Sequence, residues 1–167
     1  MIILLKKILR AEMDGFLPGC MTVFYDVFRG FGREVLFFPD AAKAELPRAQ
    51  FALEWMSSES LIVADRLYCT LQYFHALAGK RLFGLFRKNR QLKIKRLQVL
   101  SRKQGSRGLL EDVLVEVGGI VNASRRLKLR LIRYRAQGRS LDLLTSVLDP
   151  KRLSAEDAVA LYGLRWS

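Results

Sequence analysis

A chain of 167 residues, half of them hydrophobic, is long enough for one domain with a real core and too short for two comfortable ones. Its formal charge of +13 and pI near 10.3 point to a polyanionic partner, although a solubilising excess of Lys and Arg gives the same total. Cys20 and Cys69 share no metal-ligand spacing, and the apolar opening Met1–Leu5 is broken at Lys6 and Lys7; a disulfide scaffold, a signal segment and a membrane span are excluded, and a cytoplasmic protein with reduced, buried cysteines is expected.

Charge is divided along the chain. Residues 1–79 hold 8 basic and 9 acidic side chains, whereas residues 80–167 hold 21 and 7. The second half therefore carries the field. At the front, apolar residues at positions 2 to 5, 8 and 9 suit a short strand or a short helix equally. Met13-Asp14-Gly15 and Leu17-Pro18-Gly19 read as turn and loop. Thr22–Phe28 and Arg33–Phe38, rich in β-branched and aromatic residues on either side of Gly30 and Gly32, predict a β-hairpin closed by Pro39. Leu46, Ala49, Leu53 and Met56 recur at steps of three and four and predict a helix over 46–56, with Trp55 in the core.

Leu61-Ile62-Val63-Ala64-Asp65 is an unbroken apolar run ending at a carboxylate, the pattern of a strand buried on both faces. Asp65 then leaves the sheet at its carboxyl edge, where open α/β sheets carry their ligands. A helix cap is the alternative, but Thr70 stands better placed before the helix marked by Leu71, Phe74 and Ala78, which Gly79 ends. Spacing alone leaves Asp65 balanced between function and scaffold. His75 has no partner Cys or Ser at a useful spacing and reads as a structural or surface histidine. Arg81–Arg87 follows as a strand apolar on both faces.

From Lys80 to Arg107 there are eleven basic residues and no acid, interleaved with Leu92, Ile94, Leu97, Val99 and Leu100. Lys93, Lys95 and Arg96 predict a strand with one face on the protein and one toward solvent or phosphate, and the missing acids favour nucleic acid over a merely solvated face. Gly105–Gly108 is a loop. Val113–Val117 and Leu127–Arg135 alternate as half-buried antiparallel strands, the second presenting Lys128, Arg130 and Arg133 outward as a basic ladder. Ala136–Arg139 is a turn and Leu141–Leu148 another strand. Ser154 with Glu156 and Asp157 opens a helix, whose apolar face runs through Ala158, Leu161 and Leu164.

Three stretches in order, Leu61–Arg66, Leu143–Asp149 and Leu161-Tyr162-Gly163-Leu164-Arg165-Trp166, make the chain resemble the DDE transposases of bacterial insertion sequences, specifically the insertion-sequence-four family. The resemblance implies an α/β fold: a ribonuclease-H-like mixed sheet flanked by helices, its core incomplete, with a basic β-rich insertion. Residues 1–90 would form the first part of the core, 91–139 the insertion, and 140–167 the last core strand and catalytic helix. Asp65 would be the catalytic and metal-binding carboxylate of a site for two Mg²⁺ ions, cleaving and rejoining phosphodiesters. Arg66, Arg87, Lys88, Lys93, Lys95, Tyr162 and Arg165 would contact DNA, the transposon ends being the partner, with a homodimer in the intact family and no membrane.

Departures accompany the likeness. The signature glutamate, four residues after Arg165, lies two positions past Ser167. The early Asp-Gly-Thr is matched only in part by Asp14-Gly15-Phe16, so the first acid is either Asp14 or lost, and Asp26 is on the wrong strand. The expectation is a transposase fragment shortened at both ends and inactive alone. A non-enzymatic basic nucleic-acid-binding protein is the rival, and a poorly folded fragment with an exposed sheet edge the third reading.

Overall fold

A computed structural model describes residues 2–9, 19–26, 29–38, 45–106, 108–118, 126–136 and 138–164. In chain order these form β1 (Ile2–Leu9), β2 (Gly19–Asp26), β3 (Phe31–Phe38), α1 (Glu45–Ala52) with a 3₁₀ turn at Leu53–Trp55, β4 (Leu61–Ala64), α2 (Leu71–Gly79) and β5 (Phe83–Arg87). Then come β6 (Ile94–Gly105), β7 (Gly108–Val117), β8 (Leu127–Ala136), β9 (Arg139–Thr145) and α3 (Ala155–Gly163). The strands make one sheet in the order β3-β2-β1-β4-β5-β9-β8-β7-β6. β1 is antiparallel to β2 and parallel to β4, and β4 is parallel to β5. An order of 3-2-1-4-5 in these directions is consistent with a ribonuclease-H-like α/β core, as expected; the other four strands extend the sheet beyond β5 through antiparallel pairs.

The opening segment, compatible with either helix or strand, is a strand because a place exists for it between β2 and β4. The hairpin expected near Gly30 forms β2 and β3, Gly30 taking the left-handed φ of +73° that a side chain would resist. Thr70 caps α2 by accepting the Tyr73 amide at 3.1 Å, and Ser154 caps α3 by accepting that of Asp157 at 3.0 Å.

Apolar residues segregate to the two faces of the sheet. Ile62, Ala64, Phe86, Leu144, Leu131 and Val113 pack beneath α1 and α2, where Phe86 meets the rings of Tyr73 and Phe74. Val63, Leu85, Ile132 and Leu143 pack beneath α3 with Ala158 and Tyr162. β4 is buried on both faces, which is why its sequence shows no alternation.

Four expectations are corrected. Trp55 is 49% exposed, in edge contact with Phe51, because the helix tightens into a 3₁₀ turn and rotates it off the core. β6 lays only its start on the protein: Ile94 packs against the core cluster, as Leu92 does just before it, but past the register shifts of this outer strand Leu97 and Val99 are exposed. β9 stops at Thr145, where Ser146 turns back to exchange bonds with Gly84 through its amide and hydroxyl. Arg130 is not outward; it is wholly buried, because Asp112 on the neighbouring strand neutralises it.

Candidate functional site

Sheet register fixes what surrounds Asp65. Ala64 pairs with Phe86 across the parallel β4–β5 ladder, so the next residues, Asp65 and Arg87, leave the sheet side by side at its carboxyl edge. Asp65 lies two residues beyond Val63, which packs under α3. It is partly buried, and its Oδ1 accepts the Leu67 amide at 2.8 Å, tightening the turn that returns the chain toward α2. Arg66 and Arg87 are exposed on that edge. Lys88 is partly buried, its Nζ donating to the Asn89 carbonyl at 3.2 Å and its amide to the Asp142 carbonyl at 2.8 Å.

The strands past β5 rise above this edge. The last pair between β5 and β9 is Arg87 with Leu143, yet β9 begins at Arg139, so four residues stand clear of β5, about 13 Å of strand. β8 accompanies it to Ala136 and the β6–β7 turn to Gly105 and Gly108. This overhang is basic. It carries Arg102, Lys103, Arg133, Arg135 and Arg139, with Asp142 bridged to Arg135 at 2.5 Å and Glu111 held between Arg96 at 2.8 Å and Arg133 at 3.2 Å. Burial pushes the Glu111 carboxyl up, but hydrogen bonds and charge from Arg133 and Arg96 outweigh it and hold the group below the ordinary carboxylate range.

The expected basic residues do not form one patch. Lys93 and Lys95 belong to the amino-side start of β6, where Lys95 pairs with Glu116. Four strands stand between β6 and β4 in the sheet order. Tyr162 is buried at 4% exposure in the cluster beneath α3, so the outer surface of that helix belongs to Glu156, Asp157 and Ala160. Arg165, like Asp14, lies outside the described residues. Sequence reading passed over Arg102, Arg135 and Arg139; what would have found them is that β8 and β9 are longer than the core strand they pair with.

Metal coordination needs several oxygen ligands converging on one point. β1 lies beside β4 with Ile3 opposite Val63, so Leu4 and Leu5 come level with Ala64 and Asp65, and no residue of Ile2–Leu9 is acidic. On the other side stand Arg87 and Lys88. Asp26 sits opposite Ile2 at the far, amino edge, its Oδ1 accepting the Arg29 amide at 3.2 Å. Among the described residues no group of three His, Cys, Asp or Glu side chains could hold a metal ion. The donors described do not fit a two-metal centre.

What the edge can do chemically is bind phosphate: cations on strand ends and on a projecting wall stand beside the turn-capping carboxylate of Asp65. No helix among the described residues is long and apolar enough to cross a membrane. A family model described as transposase DDE domain matches residues 23–167, spanning β4, the overhang and α3. No curated protein matches.

Proposed function

The chain belongs to the transposase DDE-domain family, and from that premise we propose that it is an insertion-sequence-four type transposition protein. It binds duplex DNA across the carboxyl edge of β4 and β5, against the basic overhang, and does not by itself cleave or transfer strands. The observation that carries this reading is the position of Asp65: at the carboxyl edge, level with Arg87 and below the basic overhang, with leucines at the level of Ala64 and Asp65 on β1. Arg66, Arg87 and Lys88 contact phosphates near Asp65, Arg102, Arg135 and Arg139 extend the track, and Lys93 and Lys95 engage DNA only where it continues past the outer strand.

Proteins of this family generally use divalent metal in phosphodiester chemistry, with carboxylates as its ligands. Asp65 supplies one such ligand. We assign it as a catalytic-site acid, working in the cytoplasm on transposon-end DNA, with a second copy of the chain as candidate partner. The test is a nicking assay: purified chain with a labelled transposon-end duplex in Mg²⁺ or Mn²⁺. Shift of the duplex without cleavage is expected. Metal-dependent nicks that vanish in Asp65→Ala would overturn the inactivity.

A specific observation favours the rival, a non-enzymatic nucleic-acid binder: Asp65 has a scaffold task already, accepting the Leu67 amide. The two readings part on metal. A vestigial site gives Mn²⁺ binding weakened by Asp65→Asn, whereas a simple binder is indifferent to that change.

A further inference from the structure

Arg130 is the largest fully buried side chain of the described residues, at 0% exposure. Its Nε donates to Asp112 Oδ1 at 3.1 Å and one terminal nitrogen to Oδ2, a bidentate pair between β8 and β7. The other terminal nitrogen faces away and donates to two main-chain carbonyls, those of Val147 at 3.1 Å and Leu153 at 2.8 Å. These carbonyls bracket the connection from β9 to α3. Ser154, the cap of α3, follows Leu153 directly.

We infer that Arg130 is a positioning residue: it fixes where α3 crosses the sheet by holding both ends of the β9–α3 connection against β8. A pair serving only as a buried ion bridge would need only the two nitrogens facing Asp112, and such a pair is seldom worth more than an apolar one of the same volume. The third nitrogen does what an apolar pair cannot, satisfying two carbonyls on residues that are themselves buried. The fork of the guanidinium is needed, since the single nitrogen of a lysine cannot reach Asp112 and both carbonyls at once. Asp112 orients the fork, so the acidic strand β7, the basic strand β8 and the helix move as one unit. Through the cluster beneath α3, which holds both Tyr162 and Val63, that unit is tied to the strand that leads to Asp65.

For its consequence the inference rests on the transposase reading, in which the placement of α3 relative to Asp65 decides what the helix brings to the edge. Its test does not use DNA, so failure of nucleic-acid binding would sink that reading and leave this one standing. Hydrogen exchange by mass spectrometry is compared for the parent chain, Arg130→Met with Asp112→Leu, and Arg130→Lys. The double variant leaves no orphan charge, only the two freed carbonyls, and is expected to melt below the parent while keeping the parent's protection in α2, β7 and β8. Exchange across 147–164 is expected to rise at least tenfold in the double variant, and to rise also in Arg130→Lys despite its retained charge. Unchanged protection across 147–164 would show that the apolar face of α3 places the helix unaided. Protection lost evenly across the chain, or a double variant that does not fold, would make the pair a general stabiliser; either result overturns the inference.

Discussion

The main-chain carbonyl of Asp142 accepts the amide of Lys88 at 2.8 Å, just past the last ladder pair between β5 and β9. Core and basic strands are therefore joined on the side where Asp65 emerges, and a duplex at that edge meets both. Each phosphate neutralised steepens the dependence of log affinity on log salt by about 0.9. Replacing Arg87 and Arg139 together by Ala is expected to weaken binding to a 30-base-pair duplex and to flatten the slope by about two such contacts, measured by fluorescence anisotropy between low and moderate salt. Neither side chain is buried, so melting should be unaffected. Unaltered affinity and slope would remove DNA from this edge.

Asp65 offers a second test. If the carboxylate only caps its turn, Asp65→Asn keeps an oxygen for the Leu67 amide and leaves stability near that of the parent, while Asp65→Ala loses about 1 kcal/mol, the net worth of one hydrogen bond. Urea titration of the three proteins gives both differences. A stabilising effect of either substitution would instead mean that Asp65 carries strain or repulsion retained for function.

Local signals explain what was legible. The β4 run, the caps at Thr70 and Ser154 and the β2–β3 hairpin depend on residues close in sequence, and each stands where its pattern placed it. Arg130 defeats such reading because its neutraliser, Asp112, is eighteen residues away on another strand; alternation shows that a residue faces one side, not what waits there. Lys93 and Lys95 show a different limit. Their composition is as basic as the sequence suggests, but register and strand order, set by long-range pairing, carry them five strand spacings from β4. The fold class was readable through resemblance, and the wall beside Asp65 was not, since nothing in β9 announces that β5 stops four residues short of it.

Phe86 needs Gly84. A Cβ at Gly84 would stand 2.5 Å from the Phe86 ring and 2.9 Å from Leu77, contacts too close for a packed core to absorb. Gly84→Ala is expected to cost about 1–3 kcal/mol by overpacking, and Phe86→Ala about 3–5 kcal/mol by leaving a cavity beside Tyr73 and Phe74. Combined as Gly84→Ala with Phe86→Leu, the two changes should cost less than their sum, because the smaller side chain frees the space the methyl needs. Strict additivity in denaturant melts would refute the contact.

Cys69 is buried on the α2 face, and burial pushes its thiol up to about 11 despite opposing effects from the Asn89 main chain and the Lys88 charge. Only thiolate reacts. In a Cys20→Ser background at pH 8, Cys69 should resist a disulfide reagent for as long as the chain stays folded and react promptly in denaturant. Fast labelling of the native chain would mean that the packing between α2 and the β5 exit opens readily.

Acid should loosen the basic strands through Glu111. Arg133 and Arg96 overcome its burial and lower its pKa from an ordinary value of 4.5. A carboxylate with a folded-state pKa below its unfolded one binds fewer protons when folded, so its stabilising contribution is complete above about pH 4.5 and is lost as pH falls through the lower, folded value. Glu111→Gln keeps the shape and cannot titrate. Its melting temperature should therefore lie below that of the parent at pH 7, and the gap should close as both are acidified from pH 5 toward pH 3. A gap that stays constant over that range would show that the two arginines do not bind the ionised form of Glu111 preferentially, and the ion pairs across β6, β7 and β8 would then contribute shape without charge.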